Sequence, residues 1–250
     1  MKSENIIATR PEKTIYRDGE LAVKVFKKGY PKADILNEAL NQARVEETGL
    51  NVPKIESVSM VDGCWAISTD FIEGKTLTEL MAENPDKMDE YLNLFVDIQL
   101  EIHSKRAPLL TKLKDKFNRK INSLSGKVDA TLRYELLTRL ESMPKHNKVL
   151  HGDFRPSNII IDKDGKAFII DWAHATQGNA SADAARTYLL LTLNHPEIKD
   201  KYLELFCKKS DTAIQYVRQW LPIVASTQLV KAIPEEKELL ESWVDVVDYE

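Results

Sequence analysis

The sequence predicts an α+β protein, with an N-terminal lobe of antiparallel β-sheet holding one helix and a larger, mainly helical C-terminal lobe. Three observations predict it. Strand-like runs broken by Asp-Gly turns recur over residues 14–26 and 54–69, the signature of β-hairpins. From residue 76 onward the apolar residues recur at helical spacing instead. One further hairpin, over residues 159–170, interrupts the helical part. The expected lobes are residues 1–72 and residues 73–250.

Composition narrows the function classes. The chain has 250 residues, 43% hydrophobic and 30% charged, enough for a sizeable core. A net charge of −4 argues against a nucleic-acid partner, whose footprint is strongly basic. Two cysteines, Cys64 and Cys207, offer no disulfide framework and no metal-ligand spacing, which fits a reducing cytoplasm. Residues 1–13 are polar and contain no apolar signal core. The apolar run near Leu189 is broken by Thr192 and Asn194, too early to span a bilayer. A cytoplasmic protein with no membrane partner is expected.

In chain order, residues 5–8 suggest a short strand and residues 9–13 a break. Residues 14–17, Asp18-Gly19 and residues 21–26 make a hairpin. In its second strand Lys24 shares a face with Ala22 and Phe26. Taken alone, such a lysine reads as an edge-strand guard or a snorkelling stem. Residues 31–48 predict a helix, with Pro31 in the first turn, Ile35, Leu36, Leu40 and Ala43 as its apolar stripe, and Gly49 closing it. Glu38 lies near that stripe. Residues 54–60 and 64–69 form the next hairpin, and strand character is expected to stop at residues 70–74.

The helical part opens with a Thr76/Glu79 capping-box pattern. Residues 88–103 are strongly amphipathic, with Tyr91, Leu92, Phe95, Ile98, Gln99 and Ile102 on one side. Residues 105–127 are rich in Lys and Arg. That run reads as a solvated helical face, with a phosphate- or acid-binding surface as the alternative. Helices are expected over 130–143, 182–193 and 199–208. Two more are expected after residue 211, holding Trp220 and Trp243 and ending in an acidic tail.

The chemistry concentrates in residues 151–172. Asp153 and Asn158 are five residues apart, and Asp171 follows Asn158 by 13. Between the last two, residues 159–161, an Asp-Lys-Asp-Gly turn and residues 167–170 spell strand, turn, strand. A hairpin folds its ends together, so Asn158 and Asp171 should lie close. An amide oxygen and a carboxylate converging there suit a hard cation such as Mg²⁺.

This stretch resembles the aminoglycoside phosphotransferase and choline kinase-like family, the small-molecule branch of the protein kinase-like fold. His151-Gly152-Asp153, with Asn158 after four intervening residues, matches that family's catalytic loop. Ile169-Ile170-Asp171-Trp172 matches its metal-binding segment. A later family pattern, Ala-x-x-Gly-Asp-Pro-x-x-Asp, is kept at Ala175, Gly178 and Asp183, but Asn179-Ala180 replaces Asp-Pro. Lys24, Glu38, a Val52-Pro53 pair and a hinge at residues 71–74 follow in the family's order. The resemblance spans roughly residues 5–205 and implies two lobes.

The resemblance implies a role for each residue. Asp153 would take the proton of an attacking hydroxyl. Asn158 and Asp171 would hold Mg²⁺ against the phosphates of ATP or GTP. Lys24 would bind the α- and β-phosphates, with Glu38 holding Lys24. Arg155 would place charge at the γ-phosphate. His151 and Asp183 would brace the loop. Backbone groups from Asp70 to Ile72 would bond the base, with Ala22 against its ring. The loop over the phosphates, residues 9–13, contains no glycine, so its amides cannot approach phosphate as a glycine-rich cradle does.

The implied acceptor is a small molecule: an aminoglycoside, choline or ethanolamine, or another small alcohol or sugar. The acidic tail with Trp220, Trp243 and Tyr249 points to a cationic one, or is an acidic surface helix with core tryptophans. Two other functions stay open on the residues: a kinase acting on a protein side chain, and a nucleotide-binding regulator without catalysis.

Overall fold

Antiparallel pairing organises the start of the chain. In the computed structural model, which describes residues 5–244, five strands form one sheet. They are β1 (Ile6–Arg10), β2 (Lys13–Asp18), β3 (Leu21–Phe26), β4 (Ile55–Val61) and β5 (Cys64–Asp70), in the order β1-β2-β3-β5-β4. β1 runs two residues further than its sequence suggests, because Thr9 and Arg10 pair with Thr14 and Lys13. The turn is therefore only Pro11-Glu12. Phe26 and Ile67 on the sheet pack with Ile35 and Ala39 of helix α1 (Lys32–Glu46), and Tyr30, Ile55, Val58 and Trp65 close around them.

The buried face of α1 differs from the expected stripe. Leu36 and Leu40 are 43% and 48% exposed, while Glu38, Asn41 and Gln42 are buried beside Ile35, Ala39 and Val45. The reason is what this face meets. Gln42 Nε2 donates to Pro53 O at 2.6 Å, Asn41 Nδ2 to Ala173 O at 3.4 Å, and Glu38 accepts from Lys24. Polar side chains are tolerated in a core when each has a partner.

Strand character also resumes where it was expected to stop. β6 (Gly74–Thr76) pairs with β8 (Ile159–Asp162), which pairs with β9 (Ala167–Ile169). The hairpin predicted over residues 159–170 is thus present, and the Asp162 carboxylate accepts the amides of Asp164 and Lys166 to shape its turn. Gly74 permits the added strand. A Cβ there would lie 2.3 Å from the carbonyl oxygen of Ile161, an approach only hydrogen can fill. Gly74→Ala should therefore cost about 1–3 kcal/mol, the usual penalty of overpacking, seen as a lower urea midpoint. α2 (Leu77–Glu83) follows directly, with the Thr76/Glu79 capping box complete.

These elements belong to one compact unit, formed by the residues up to Tyr91 together with Pro156–Ala175. The second unit comprises Leu92–Arg155 and the residues from Thr176 onward. It contains most of α3 (Met88–Ser104), then α4 (Leu113–Asn122), α5 (Ala130–Ser142), β7 (Lys148–Leu150) paired with β10 (Thr176–Gly178), α6 (Ala180–Asn194) and α7 (Lys199–Ser210). Helix α6 is its axis, buried along Ser181–Leu191. Phe95 stacks on Phe154 with ring centroids 4.5 Å apart. Gln99 ties Tyr202 and Thr187 together, accepting at 2.6 Å and donating at 3.0 Å.

After residue 211 the described residues form three helices where two were expected: α8 (Ile214–Arg218), α9 (Leu221–Leu229) and α10 (Lys237–Val244). α9 is buried from Leu221 to Gln228, so its sequence carries no amphipathic stripe to mark it. Among the described residues, no helix is long and apolar enough to cross a membrane.

Candidate active site

In the first unit, the strand register gathers three charges around Asp171. Ile15 lies opposite Lys24 and Lys13 opposite Phe26, so Lys13 and Lys24 share a face of the β2–β3 ribbon. Lys24 Nζ donates to Glu38 and, at 3.3 Å, to Asp171 Oδ1. Lys13 Nζ lies 3.3 Å from both carboxylate oxygens of Asp171. Asp171 itself takes a left-handed conformation, with φ of 65°, which aspartate tolerates better than most residues. Burial opposes the charge on Lys24, yet Asp171 and Glu38 outweigh it and push its pKa up. Burial likewise opposes ionisation of Asp171, and Lys24 with Lys13 holds its carboxyl well below the usual carboxylate range.

Asn158 ends the short 3₁₀ turn Pro156–Asn158, just before β8, and is buried. Its carbonyl accepts the N–H of Ile170 at 3.0 Å. The hairpin thus ties the residue before β8 to the residue preceding Asp171. The donors on offer are a carboxylate and an amide oxygen, the hard ligands that suit Mg²⁺. Among the described residues no cluster of three His, Cys, Asp or Glu could cage a metal. Such a pair fits an ion that takes its remaining ligands from phosphate and water.

At the expected base-binding segment, Ala22 pairs with Thr69 and Leu21 with Asp70. Two amides there are already committed: Asp70 N–H donates to Lys54 O at 3.0 Å and Phe71 N–H to Glu20 O at 2.8 Å. The Asp70 carboxylate accepts the Lys54 amide at 3.0 Å, so it braces β4 against β5. The Asp70 carbonyl accepts the Thr69 hydroxyl at 3.3 Å.

In the second unit, Asp153 and Arg155 form an ion pair, Arg155 Nη2 donating to Asp153 Oδ1 at 2.7 Å. The loop carrying them is held from behind. Asp183, 3% exposed, accepts the amide of Gly152 at 2.8 Å, that of His151 at 3.3 Å, and the Nε2–H of His103 at 2.9 Å. Burial opposes its ionisation, and His103 outweighs this to hold its pKa down. His151 is fully buried, and its Nδ1 accepts the Asp153 amide at 3.2 Å. The bracing expected of His151 and Asp183 is therefore what the geometry provides. Arg186 of α6 donates from Nε to Gly152 O at 3.4 Å.

His103 and Arg186 carry no sequence expectation, and Lys13, expected at the end of a loop over the phosphates, instead opens strand β2, because Thr9 and Arg10 pair with Thr14 and Lys13. His103 had a signal: it falls four residues after Gln99, on the apolar side of α3. Lys13 could be found only from the strand register. For two tryptophans the sequence leaves open a lining for a cationic acceptor or a place in the core. Trp220 is 1% exposed, and Trp243 stacks on Tyr188 at 5.8 Å. Tyr249, with Asp245, Asp248 and Glu250, lies outside the described residues.

The sequence pattern of the phosphotransferase enzyme family matches residues 13–218, and the chain belongs to that family. No curated protein matches it significantly. Among solved structures it is similar to a thermostable mutant of aminoglycoside phosphotransferase APH(4)-Ia in ternary complex with AMP-PNP and hygromycin B. That pair shares 16% identity and a TM-score of 0.68, covering 96% of this chain and 90% of the other. It is also similar to the choline kinase LicA from Streptococcus pneumoniae, with 15% identity and a TM-score of 0.62 over 97% and 86% of the two chains. The aminoglycoside phosphotransferase APH(3'')-Id from Streptomyces rimosus gives 17% and 0.64 over 88% and 91%. At these identities the likeness establishes the fold, which is the α+β, two-lobed protein kinase-like one.

Proposed function

We propose that this protein transfers the γ-phosphate of ATP or GTP to a hydroxyl of a small molecule, with Mg²⁺. The observation that carries the reading is Asp171: a carboxylate kept ionised by two lysines, at the end of a hairpin tied to Asn158. The ion itself supplies charge neutralisation for the phosphates when bound, held by Asn158 and Asp171.

Each other residue then has a separate task. Asp153 accepts the proton as the acceptor oxygen bonds to the γ-phosphorus and the bond to the β,γ-bridging oxygen breaks, releasing the nucleoside diphosphate. Arg155 orients Asp153 and adds positive charge for the transferring group. Lys24, positioned by Glu38, meets the α- and β-phosphates. Ala22, Asp70 and Ile72 contact the base. The nucleotide-binding lobe is residues 1–72, with the helical lobe in residues 73–250 holding the acceptor.

The test is nucleotide turnover in wild type and Asp153→Ala across a panel of hydroxyl compounds. Losing the general base should lower turnover about 10²–10⁴-fold. Absence of any Mg²⁺-dependent turnover in the wild type would overturn the reading.

A further inference from the structure

The turn between β1 and β2 has little with which to hold phosphate. It consists of Pro11-Glu12 alone. Proline has no N–H to offer. Glu12 is exposed and brings a negative charge of its own. The Glu12 carbonyl accepts the Lys27 amide at 2.9 Å, and Arg10 pairs with Lys13, so the turn is pinned beside the end of β3.

The residue that follows the turn is a cation. Lys13 opens β2 opposite Phe26, and Ile15 lies opposite Lys24, so the two lysines are diagonal neighbours on one face. Their partners differ. Lys24 is shared between Glu38 and Asp171. Among the described residues Lys13 has Asp171 as its ion-pair partner, with Nζ 3.3 Å from both Oδ1 and Oδ2. Both oxygens of that carboxylate are thus engaged by ammonium groups. A further cation approaching them meets two positive charges at close range.

The Lys13–Asp171 pair is also the more open one. Its side chains are 20% and 27% exposed, against 8% for Glu38, so a ligand from solvent can reach it. A lysine ammonium rides on a flexible four-carbon stem and binds phosphate as a point charge. The phosphates of a nucleotide carry more negative charge than the carboxylate that Lys13 would give up. Lys24 is not equivalent, because Glu38 retains it when Asp171 changes partner.

We propose that Lys13 is a nucleotide-binding residue with two tasks. Its ammonium binds the terminal phosphates in place of a glycine-rich loop. By letting go of Asp171 as it does so, Lys13 makes that carboxylate available to the metal ion when the nucleotide arrives. This deepens the phosphotransferase reading and rests on it. A purely structural ion pair predicts something else: its removal would lower stability and leave the affinity for both ligands unchanged.

The experiment is equilibrium binding to the whole chain in wild type, Lys13→Met and Lys13→Arg. AMP-PNP and GMP-PNP with Mg²⁺ are titrated by calorimetry, with AMP and GMP as controls that lack the terminal phosphates. Mn²⁺ alone is titrated by the paramagnetic resonance of the free ion. In Lys13→Met the Kd for the triphosphate analogue that the wild type binds should rise about 10–100-fold, the range for one hydrogen bond to a charged group. The Kd for the monophosphate should not follow it. Mn²⁺ alone should bind Lys13→Met at least about fivefold more tightly than wild type, the effect of removing one unit charge about 4 Å away in water. Lys13→Arg should restore much of the nucleotide affinity and the wild-type affinity for Mn²⁺. Should Lys13→Met fail to fold, Lys13→Gln is scored in the same way. An unchanged triphosphate Kd, an equal loss for the monophosphate, or Mn²⁺ affinity that does not rise would overturn the proposal. Nucleotide turnover is followed in parallel. Wild-type turnover with an unchanged nucleotide Kd in Lys13→Met would overturn the role of Lys13 and leave the phosphotransferase reading standing. Opposite shifts of the two Kd values, with no turnover of any acceptor by the wild type, would overturn the enzyme reading and keep the role of Lys13. A wild type that binds neither nucleotide would overturn both.

Discussion

Asp183→Ala should destabilise the protein by about 3–5 kcal/mol, the cost of stripping one partner from a buried charged pair. It should also slow phosphoryl transfer by about 100-fold, the penalty of displacing a reacting group by an ångström. Both effects follow from one carboxylate. Asp183 accepts the half-buried Gly152 amide and, both buried, the His151 amide and His103 Nε2–H. Alanine removes the acceptor that all three share, two of them where water does not reach. The loop bearing Asp153 then loses the anchor immediately before it. Urea denaturation reads the first effect and saturating turnover the second. Asp183→Asn keeps the size and one acceptor oxygen and should recover part of the stability. Stability unchanged in Asp183→Ala would mean that the loop is held by other contacts.

Asp171→Asn should abolish more of the activity and less of the stability. If Asp171 holds Mg²⁺ as proposed, its loss should remove several kcal/mol of charge stabilisation, roughly a thousandfold or more in rate. Lys24 keeps Glu38, so the fold should lose only about 1.5–3 kcal/mol, the range for a hydrogen bond to a charged group. The variant should also change how stability depends on pH. In the folded protein Asp171 stays ionised to far lower pH than the value of about 3.9 for an unfolded aspartate. Its contribution is complete above that value and is lost as pH falls below it toward the depressed folded value, because the unfolded chain takes up the proton first. Acid denaturation of Asp171→Asn should lack this component, giving a shallower fall below about pH 4. A wild-type acid limb in the variant would contradict the lysine cluster.

The parts of the site that sequence makes visible are those fixed by local rules. Asn158 and Asp171 could be paired because a hairpin with an Asp-rich turn lies between them, and period-two alternation put Lys24 on a defined face. Glu38 was visible by order along the chain. What stayed hidden depends on partners far away. Lys13 looked like part of a loop until the strand register set it diagonal to Lys24. Leu36 and Leu40 were drawn toward the core by a rule that counts apolar residues, while the true packing face uses hydrogen-bonded Glu38, Asn41 and Gln42. The basic run of residues 105–127 left a solvated face and an acid-binding surface open. Only the packing of α4, with Leu113, Phe117 and Ile121 buried, sets Lys116 and Lys120 half out of water.

The polar face of α1 places stability and activity in opposition at single positions. Refilling Glu38, Asn41 and Gln42 with aliphatic residues of similar volume would remove a buried ion pair whose net contribution to folding is small or unfavourable. Selection for heat resistance alone would drift that way. It would also release Lys24 and leave α1 free to slide on a smooth apolar surface. The helix is thus under constraint for where it stands rather than for how tightly it is held, and a stabilised variant of this lobe should be sought on its exposed side, at Leu36 and Leu40, where neither requirement applies.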